Sequence, residues 1–197
     1  MLKEPINSYG DKMHSEDLLK LIKDRRTVHS YNDKRVDHLL IKGVAECFVN
    51  APNHRHTQPW RLKSASDSQR KQLAELAVQV KSKKIEMTEA KKIALTKKYT
   101  TPSHLIALLQ TKNSDPFTSK EDYTSVACAV MNASLYLWAN DVGTKWSSGA
   151  VTSHPETYEI LGIDSKTNEI VGFLWVGHFD RPPLKPEKLA TDAIWIA

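Results

Sequence analysis

The sequence predicts a single domain of the α+β class. Three observations support this: amphipathic helical segments and short strand-like segments both occur, no repeat or linker divides the chain, and 197 residues suit one ordinary domain. We therefore predict one folded domain over residues 15–197. Residues 1–14 are polar and lack the apolar stretch of a signal peptide, so they are predicted to form a flexible N-terminal arm.

Two helices are predicted before the first strand. Ser15 can cap the first helix, whose apolar positions end at Asp24. The second helix covers residues 37–49, with Asp37 as its candidate cap. Its apolar stripe consists of Leu40, Val44, Cys47 and Phe48. This helix leads directly into a polar loop at residues 50–60.

A strand followed by helical segments is predicted after this loop. The strand covers residues 60–66. Ser66 and Gln69 have the spacing of a capping box, which predicts the start of a third helix. A lysine-rich helical stretch at 81–98 comes next, and Pro102 breaks the helical pattern.

The second half of the chain contains the longest predicted helix. The apolar run 104–110 has the length of a central strand, although its periodicity also permits a helix. A polar loop is predicted from there to Lys120. Residues 121–140 have apolar or small side chains on most sides, which predicts a core helix. The remaining predicted elements are a strand at 144–148, a short helix at 155–161, a strand at 169–177 and a proline-rich tail at 181–197.

The net charge of +5 comes largely from seven lysines between Lys81 and Lys98. Their alternation with apolar residues is typical of solvated helix faces. A nucleic-acid-binding surface would combine such charge with stacking aromatic side chains, and Tyr99 alone gives little support. We therefore predict no nucleic-acid partner, whereas the charge favours an anionic ligand.

The cysteines and the hydropathy pattern predict a cytoplasmic protein. Cys47 and Cys128 lie in apolar periodic segments without metal-ligand spacing, so buried thiols are expected rather than a disulfide or a metal site. The longest apolar run, 170–177, is far shorter than the roughly 20 residues of a membrane span. We predict no membrane association.

The polar loop at residues 50–60 is the most informative segment of the chain. Ala51 and Gln58 each precede a proline, so extended backbone is expected at both. The side chains offered to a planar polar ligand are Asn53, His54, Arg55, His56 and Gln58. A ligand-binding loop is one interpretation, and an exposed polar loop anchored by a buried Trp60 is the other.

A second candidate site lies at the end of the first helix. Arg25 and Arg26 offer two guanidinium groups, and Thr27 adds a hydroxyl, a combination that suits a phosphate group. His29 is placed to meet another part of the same ligand. The alternative is a surface charge cluster stabilised by the dipole at the helix C-terminus.

A third candidate segment covers residues 143–150. Gly143 and Gly149 permit close backbone approach, Ser147 and Ser148 offer hydroxyls, and Trp146 offers an aromatic wall. The alternative is a strand that ends in a glycine turn. The sequence contains no glycine-rich phosphate loop, no Gly-x-Ser-x-Gly elbow and no His-Glu-x-x-His motif, which disfavours the common hydrolase classes.

These segments, in this order, resemble the nitroreductase superfamily and in particular its small-subunit, FMN-dependent branch. The matching motifs are Arg-Arg-Thr, Ala-Pro-Asn-His-Arg-His-Thr-Gln-Pro-Trp, Ala-Cys-Ala-Val-Met, Lys-Trp-Ser-Ser-Gly-Ala and Ile-Val-Gly-Phe-Leu-Trp-Val-Gly. The resemblance implies a mostly antiparallel central sheet surrounded by helices. It also implies an intertwined homodimer with FMN at the subunit interface, and NAD(P)H as the reductant.

The resemblance also assigns cofactor-binding residues. They are Arg25, Arg26, Thr27, His29, Asn50, Pro52, Asn53, His54, His56, Trp146, Ser147 and Ser148. The arginines and Thr27 would hold the phosphate and ribityl chain, and His29 would lie near the pyrimidine edge. The 50–56 segment would pack on the isoalloxazine, braced by Gln58 and Trp60. Residues 146–148 would reach the flavin from the partner subunit or from the opposite wall.

The implied activity is transfer of reducing equivalents from NAD(P)H through FMN to nitroaromatics, quinones or other flat electrophiles. No side chain is assigned as catalytic, because the cofactor carries the chemistry. Some small members of the family have arginine where this chain has Ser147. One phosphate contact is then either missing or supplied by Arg181, Lys185 or Lys188, and the sequence does not choose among these alternatives. The alternative function is a flavin-binding or sensing protein without turnover.

Overall fold

The computed structural model describes residues 14–196, and within them four strands form one antiparallel sheet. The strands are β1 (Trp60–Ser64), β2 (His104–Thr111), β3 (Gly143–Ser147) and β4 (Asn168–Gly177), in the order β1-β2-β4-β3. The helices are α1 (Ser15–Asp24), α2 (His38–Val49), α3 (Asp67–Ser82), α4 (Glu89–Thr100), α5 (Pro116–Trp138) and α6 (Pro155–Leu161). The predicted α+β class with an antiparallel sheet is confirmed. The predicted arm over residues 1–14 lies outside the described residues except for His14, which precedes α1.

Helices cover both faces of the sheet. Because side chains alternate along a strand, β2 sends Ile106 and Leu108 into a core shared with α2 and α5. Leu105 and Leu109 enter a second core shared with α3 and α4. Burial on both faces explains the continuous apolar run of β2, and the prediction of a central strand is confirmed.

The longest helix begins earlier than the sequence predicts. α5 starts at Pro116, so the predicted polar loop up to Lys120 is wrong in its second half. The Asp115 carboxylate accepts a hydrogen bond from the Thr118 backbone N–H at 3.0 Å, and proline suits the first helical position. The helix ends at Trp138, two residues before the predicted end.

Two of the three predicted helix caps are confirmed. Asp37 accepts from the Leu39 backbone N–H at 2.8 Å, and Ser66 with Gln69 forms a capping box. The cap at Ser15 is wrong, because His14 is the N-cap residue and Ser15 is the first helical residue. The acidic residues Glu16 and Asp17 lie in this first turn. Their negative charges interact favourably with the positive end of the helix dipole.

Smaller differences concern the strand ends. β1 stops at Ser64, because Ser66 is already the cap of α3. β3 and β4 each begin one residue before the prediction. Cys47 and Cys128 are free thiols that are partly rather than fully buried. Among the described residues, no helix has both the length and the apolar character that crossing a bilayer requires.

A buried arginine joins α3 to the end of α4. Arg70 is 2% exposed, and its Nε donates to the Tyr99 carbonyl at 2.8 Å. Its Nη2 donates to the carbonyls of Thr100, at 2.6 Å, and Pro102. Its Nη1 lies 3.3 Å from the Asp67 carboxylate. The guanidinium therefore satisfies the carbonyls that the end of α4 leaves free.

Replacing Arg70 with leucine is expected to lower the free energy of unfolding by about 2–4 kcal/mol, because buried carbonyls lose their donors. Urea denaturation followed by circular dichroism measures this change. Arg70→Lys is the matched control and should lose less, since the ammonium can still reach one carbonyl. Equal stability of Arg70→Leu and the parent would contradict this account.

Candidate functional site

The end of α1 forms one wall of a basic cavity of about 700 Å³. This size lies within the range of small-molecule sites. Its lining consists of Ile22, Lys23, Arg25, Arg26, Thr27, His29, Met131, Pro183, Leu184, Lys185, Pro186 and Lys188. None of these residues, all within the described part of the chain, is acidic. The cavity therefore presents net positive charge to a ligand.

The two arginines of this cavity have different roles. Arg26 Nη1 donates to the carbonyls of Lys23, at 2.7 Å, and Arg25, at 2.9 Å, so its guanidinium caps the end of α1. The Arg25 guanidinium makes no side-chain hydrogen bond or ion pair within residues 14–196. Partial burial and the nearby charge of Arg26 lower the pKa of Arg25. Of the two arginines, Arg25 is therefore the one whose guanidinium is available to an anionic ligand.

The segment after Arg26 is fixed against the edge of the sheet. Thr27 pairs with Thr144 of β3 in a parallel bridge, and the Val28 N–H donates to the Thr144 carbonyl at 3.0 Å. Val28 is fully buried against Gly143, where an added Cβ would lie 2.5 Å from Val28 Cγ2. This close approach requires glycine, and it leaves Thr27 and His29 exposed on the cavity side.

The C-terminal tail closes the other side of the cavity. Lys185 and Lys188 line it, whereas Arg181 does not. Of the three cations that the sequence leaves open, the structure therefore brings two to the Arg25 cavity. Met131 of α5 and Lys23 of α1 also line it, and sequence reasoning did not single them out. The only sequence signal for Met131 is its place in the Ala-Cys-Ala-Val-Met motif.

The 50–60 loop is braced internally and against α5. Asn53 Oδ1 accepts from the Gln58 backbone N–H at 2.7 Å, and Asn53 Nδ2 donates to Ser125 Oγ of α5 at 3.1 Å. The Thr57 hydroxyl donates to the Asp122 carboxylate, which is 2% exposed. The Asn53 side chain is thus used inside the protein. It shapes the loop rather than facing a ligand.

The backbone of this loop departs from the expected extended conformation. Gln58 has φ +46°, so the prediction of extended backbone there is wrong. The hydrogen bond from its N–H to Asn53 bends the chain at this position. Arg55 and His56 also have positive φ, at +61° and +50°, and their side chains are exposed. Pro52 is exposed as well.

Two other predicted loop residues already have protein partners. Asn50 ends α2, and its Nδ2 donates to the Glu46 carbonyl at 2.9 Å. His54 Nδ1 lies 2.6 Å from Glu121 Oε1 on α5. Trp60 is buried, as the sequence predicts for the loop anchor. None of the loop residues lines the Arg25 cavity.

Replacing Asp122 with alanine is expected to release this loop, because the Thr57 hydroxyl loses a buried acceptor. We expect a loss of about 1–2 kcal/mol in stability and faster trypsin cleavage after the exposed Arg55. Limited proteolysis followed by mass spectrometry measures the cleavage. Asp122→Asn keeps an acceptor oxygen and should cleave at the parent rate; equal rates for Asp122→Ala and the parent would refute the bracing role.

The third predicted segment lies away from the Arg25 cavity. Trp146 lies across β4 at Gly172, where an added Cβ would be 2.3 Å from its Nε1. Ser147 Oγ accepts from Trp175 Nε1 at 2.7 Å. Ser147 and Ser148 line a separate cavity. The structure therefore brings Arg25, Arg26, Thr27 and His29 together and leaves the other predicted residues apart within one chain.

Helix α5 contacts the 50–60 loop and also lines the basic cavity. Ser125 contacts the loop and Met131 lines the cavity. These residues lie six positions apart, which corresponds to about 9 Å along the helix axis. A site that used both parts of one chain would have to extend along this helix.

Comparison with known proteins gives one consistent result. The Nitroreductase family model matches residues 22–178. A Bacillus subtilis protein named "Putative NAD(P)H nitroreductase YfhC" is 24% identical over 180 residues, covering 88% of this chain and 90% of the relative.

Solved structures share the fold. The nitroreductase-like family protein from Bacillus cereus has a TM-score of 0.80 at 24% identity, covering 96% of this chain and 98% of that one. The nitroreductase with bound FMN from Bacteroides fragilis has a TM-score of 0.71 at 18% identity, covering 92% and 98%. These similarities confirm the predicted nitroreductase-like fold. The family match covers well over half of the sequence, and the chain therefore belongs to the nitroreductase family.

Proposed function

We propose that this protein is an FMN-dependent oxidoreductase. In this proposal it accepts reducing equivalents from NAD(P)H and passes them to flat electrophilic acceptors such as nitroaromatics or quinones. The observation that carries the proposal is the basic cavity in which Arg25 has no side-chain partner among residues 14–196. The FMN named for the Bacteroides fragilis structure and the NAD(P)H named for the Bacillus subtilis relative support the choice of cofactor and reductant.

The residues of the basic cavity fit a flavin phosphate. Arg25 offers a planar pair of donors, and Thr27 offers a hydroxyl on the same wall. No acidic side chain of the described lining opposes the anion. Lys185 and Lys188 supply further positive charge to this cavity. His29 adds a ring N–H donor for another part of the cofactor.

When bound, FMN would supply the hydride acceptor and donor chemistry that the side chains lack. The protein then has to bind the cofactor, orient it and shield it from solvent. Arg25 and Thr27 would anchor one end of the cofactor, while the braced loop at 50–60 would hold the flat end. This division of roles explains why no acid or base needs to be assigned.

We further propose a homodimer with the site at its interface. In one chain the 50–60 loop and residues 146–148 do not line the Arg25 cavity. Large apolar side chains on the tail are exposed, including Leu184 at 96% and Trp195 at 83%. Exposed apolar surface of this kind typically marks an interface. A second subunit would cover it and could contribute its own loop to the cavity.

Steady-state kinetics test the proposed activity. The protein saturated with FMN should oxidise NADPH or NADH in a manner that depends on added nitrofurazone or menadione. Double-reciprocal plots should be parallel, since reductant and acceptor would use the same site in turn. Bound flavin without acceptor-dependent oxidation would instead favour a flavin-binding or sensing protein. The two free thiols, Cys47 and Cys128, fit a cytoplasmic location for this activity.

A further inference from the structure

A second cavity of about 290 Å³ lies on the other side of β3. It is lined by residues of α3, α4, β3 and β4 and of the turn that follows β3. Apolar side chains form most of its walls, and three lysines reach it: Lys81, Lys98 and Lys145. It shares no lining residue with the Arg25 cavity.

Two of these lysines converge on one aromatic ring. Lys98 Nζ lies 5.5 Å and Lys145 Nζ 6.0 Å from the centroid of the Trp175 ring. Trp175 itself is buried. The ring face stabilises a cation, but one ring cannot balance two ammonium groups. Lys98 and Lys145 are therefore two positive charges held close together at one wall.

No carboxylate balances this pair. None of the described residues that line the cavity is acidic. Neither lysine forms an ion pair within residues 14–196. Partial burial is the largest cause that lowers the pKa of both lysines. The charges of Lys145 and Lys81 lower the pKa of Lys98 further, whereas the interaction with Lys98 partly opposes the lowering at Lys145. An anion beside the two ammonium groups would favour their charged forms and so oppose both effects.

Two of the neighbouring polar groups already have protein partners. Ser147 Oγ accepts from the Trp175 indole at 2.7 Å. The Gly149 backbone N–H donates to Thr152 Oγ1 at 2.9 Å. Among the described lining residues, the lysines are the positively charged donors for a ligand. The nearby walls, which include Leu95 and Val151, are apolar.

We propose that this cavity binds a small organic anion. A carboxylate or phosphate group would lie between Lys98 and Lys145, and the apolar part of the ligand would contact Leu95 and Val151. The cavity shares no lining residue with the Arg25 cavity, and the proposal does not depend on the proposed activity. Its volume exceeds that of a bare oxyanion, which favours an anion with an attached organic group.

NMR titration tests this proposal, with the indole N–H resonance of Trp175 as the reporter. Trp175→Phe assigns this resonance among the five tryptophans. The probes are benzoate, which combines a carboxylate with an apolar ring, and inorganic phosphate. Benzoate should shift the Trp175 resonance saturably, and more tightly than phosphate. Lys98→Met and Lys145→Met should each raise the dissociation constant by about tenfold, because each removes a charge-assisted hydrogen bond.

Lys97→Met is the matched control, because Lys97 is an exposed lysine next to Lys98 on α4 that does not line the cavity. It should bind benzoate like the parent. Circular dichroism verifies that each variant folds, and Lys98→Gln replaces Lys98→Met if the latter does not. No saturable shift up to about 50 mM benzoate, a range that includes weak binding, would overturn the proposal. So would a shift that loading with FMN abolishes, because the flavin would then fill this cavity.

Discussion

Replacing Arg25 with alanine is expected to weaken FMN binding by about a hundredfold. The Arg25 guanidinium has no protein partner in the described structure, and charge-assisted hydrogen bonds to a phosphate are each worth about 1.5–3 kcal/mol. Fluorescence titration of FMN with the apoprotein measures the change. The Arg25→Ala, Arg26→Ala double variant should elute without flavin on gel filtration, while the proposed dimer persists.

Arg26→Ala is the matched control for Arg25. Its guanidinium already caps the end of α1 through the carbonyls of Lys23 and Arg25. The single variant should therefore lose some stability and change FMN affinity by less than about tenfold. Full retention of flavin by the double variant would refute the phosphate assignment. A larger loss for Arg26→Ala than for Arg25→Ala would reverse the roles of the two residues.

Ending the chain at Asp180 is expected to convert the proposed dimer into a monomer and to abolish FMN binding. This deletion removes the exposed apolar side chains of the tail, such as Leu184 and Trp195, together with Lys185 and Lys188. Gel filtration with light scattering measures the mass, and the visible spectrum measures the bound flavin. Circular dichroism should show that the remaining helices and sheet persist.

Point variants separate the charge of the tail from its apolar contacts. Lys185→Ala combined with Lys188→Ala should keep the dimer and weaken FMN binding by about tenfold or more, since two cations leave the cavity. Arg181→Ala should change neither property, because Arg181 does not line the cavity. A truncated protein that remains dimeric and yellow would contradict the role given to the tail.

Elements that depend on local signals are predictable from the sequence. The caps of α2 and α3 follow from side chains that bind nearby backbone, so Asp37, Ser66 and Gln69 identify them without tertiary information. The start of α5 is less visible, because its first turn is polar and its apolar pattern begins only later. The cap at Asp115 was the available signal, and the following proline supports it.

The candidate site is predictable only where its residues are neighbours in the chain. Arg25, Thr27 and His29 lie on one short segment and reach one cavity. The different roles of Arg25 and Arg26 depend on how one side chain folds back on α1. Lys188 reaches the Arg25 cavity because of the path that the C-terminal tail follows, and no local sequence pattern predicts that path.

The residues at the end of β3 also form a site that the sequence alone does not predict. A strand alternates between two faces, and the face that Ser147 occupies depends on how β3 pairs with β4. The structure directs Ser147 to Trp175, beside Lys98 and Lys145. The two lysines belong to different elements, so the sequence gives no sign that they share a cavity.

The visible spectrum of the purified protein, recorded before and after anaerobic addition of NADPH or NADH, tests whether the protein is a flavin-dependent oxidoreductase. The proposed function predicts flavin bands that bleach when the nicotinamide is added. Bands that persist would contradict the proposed oxidoreductase activity and would favour a flavin-binding protein without turnover. A colourless protein that also fails to take up added FMN would contradict the flavin site at Arg25 itself.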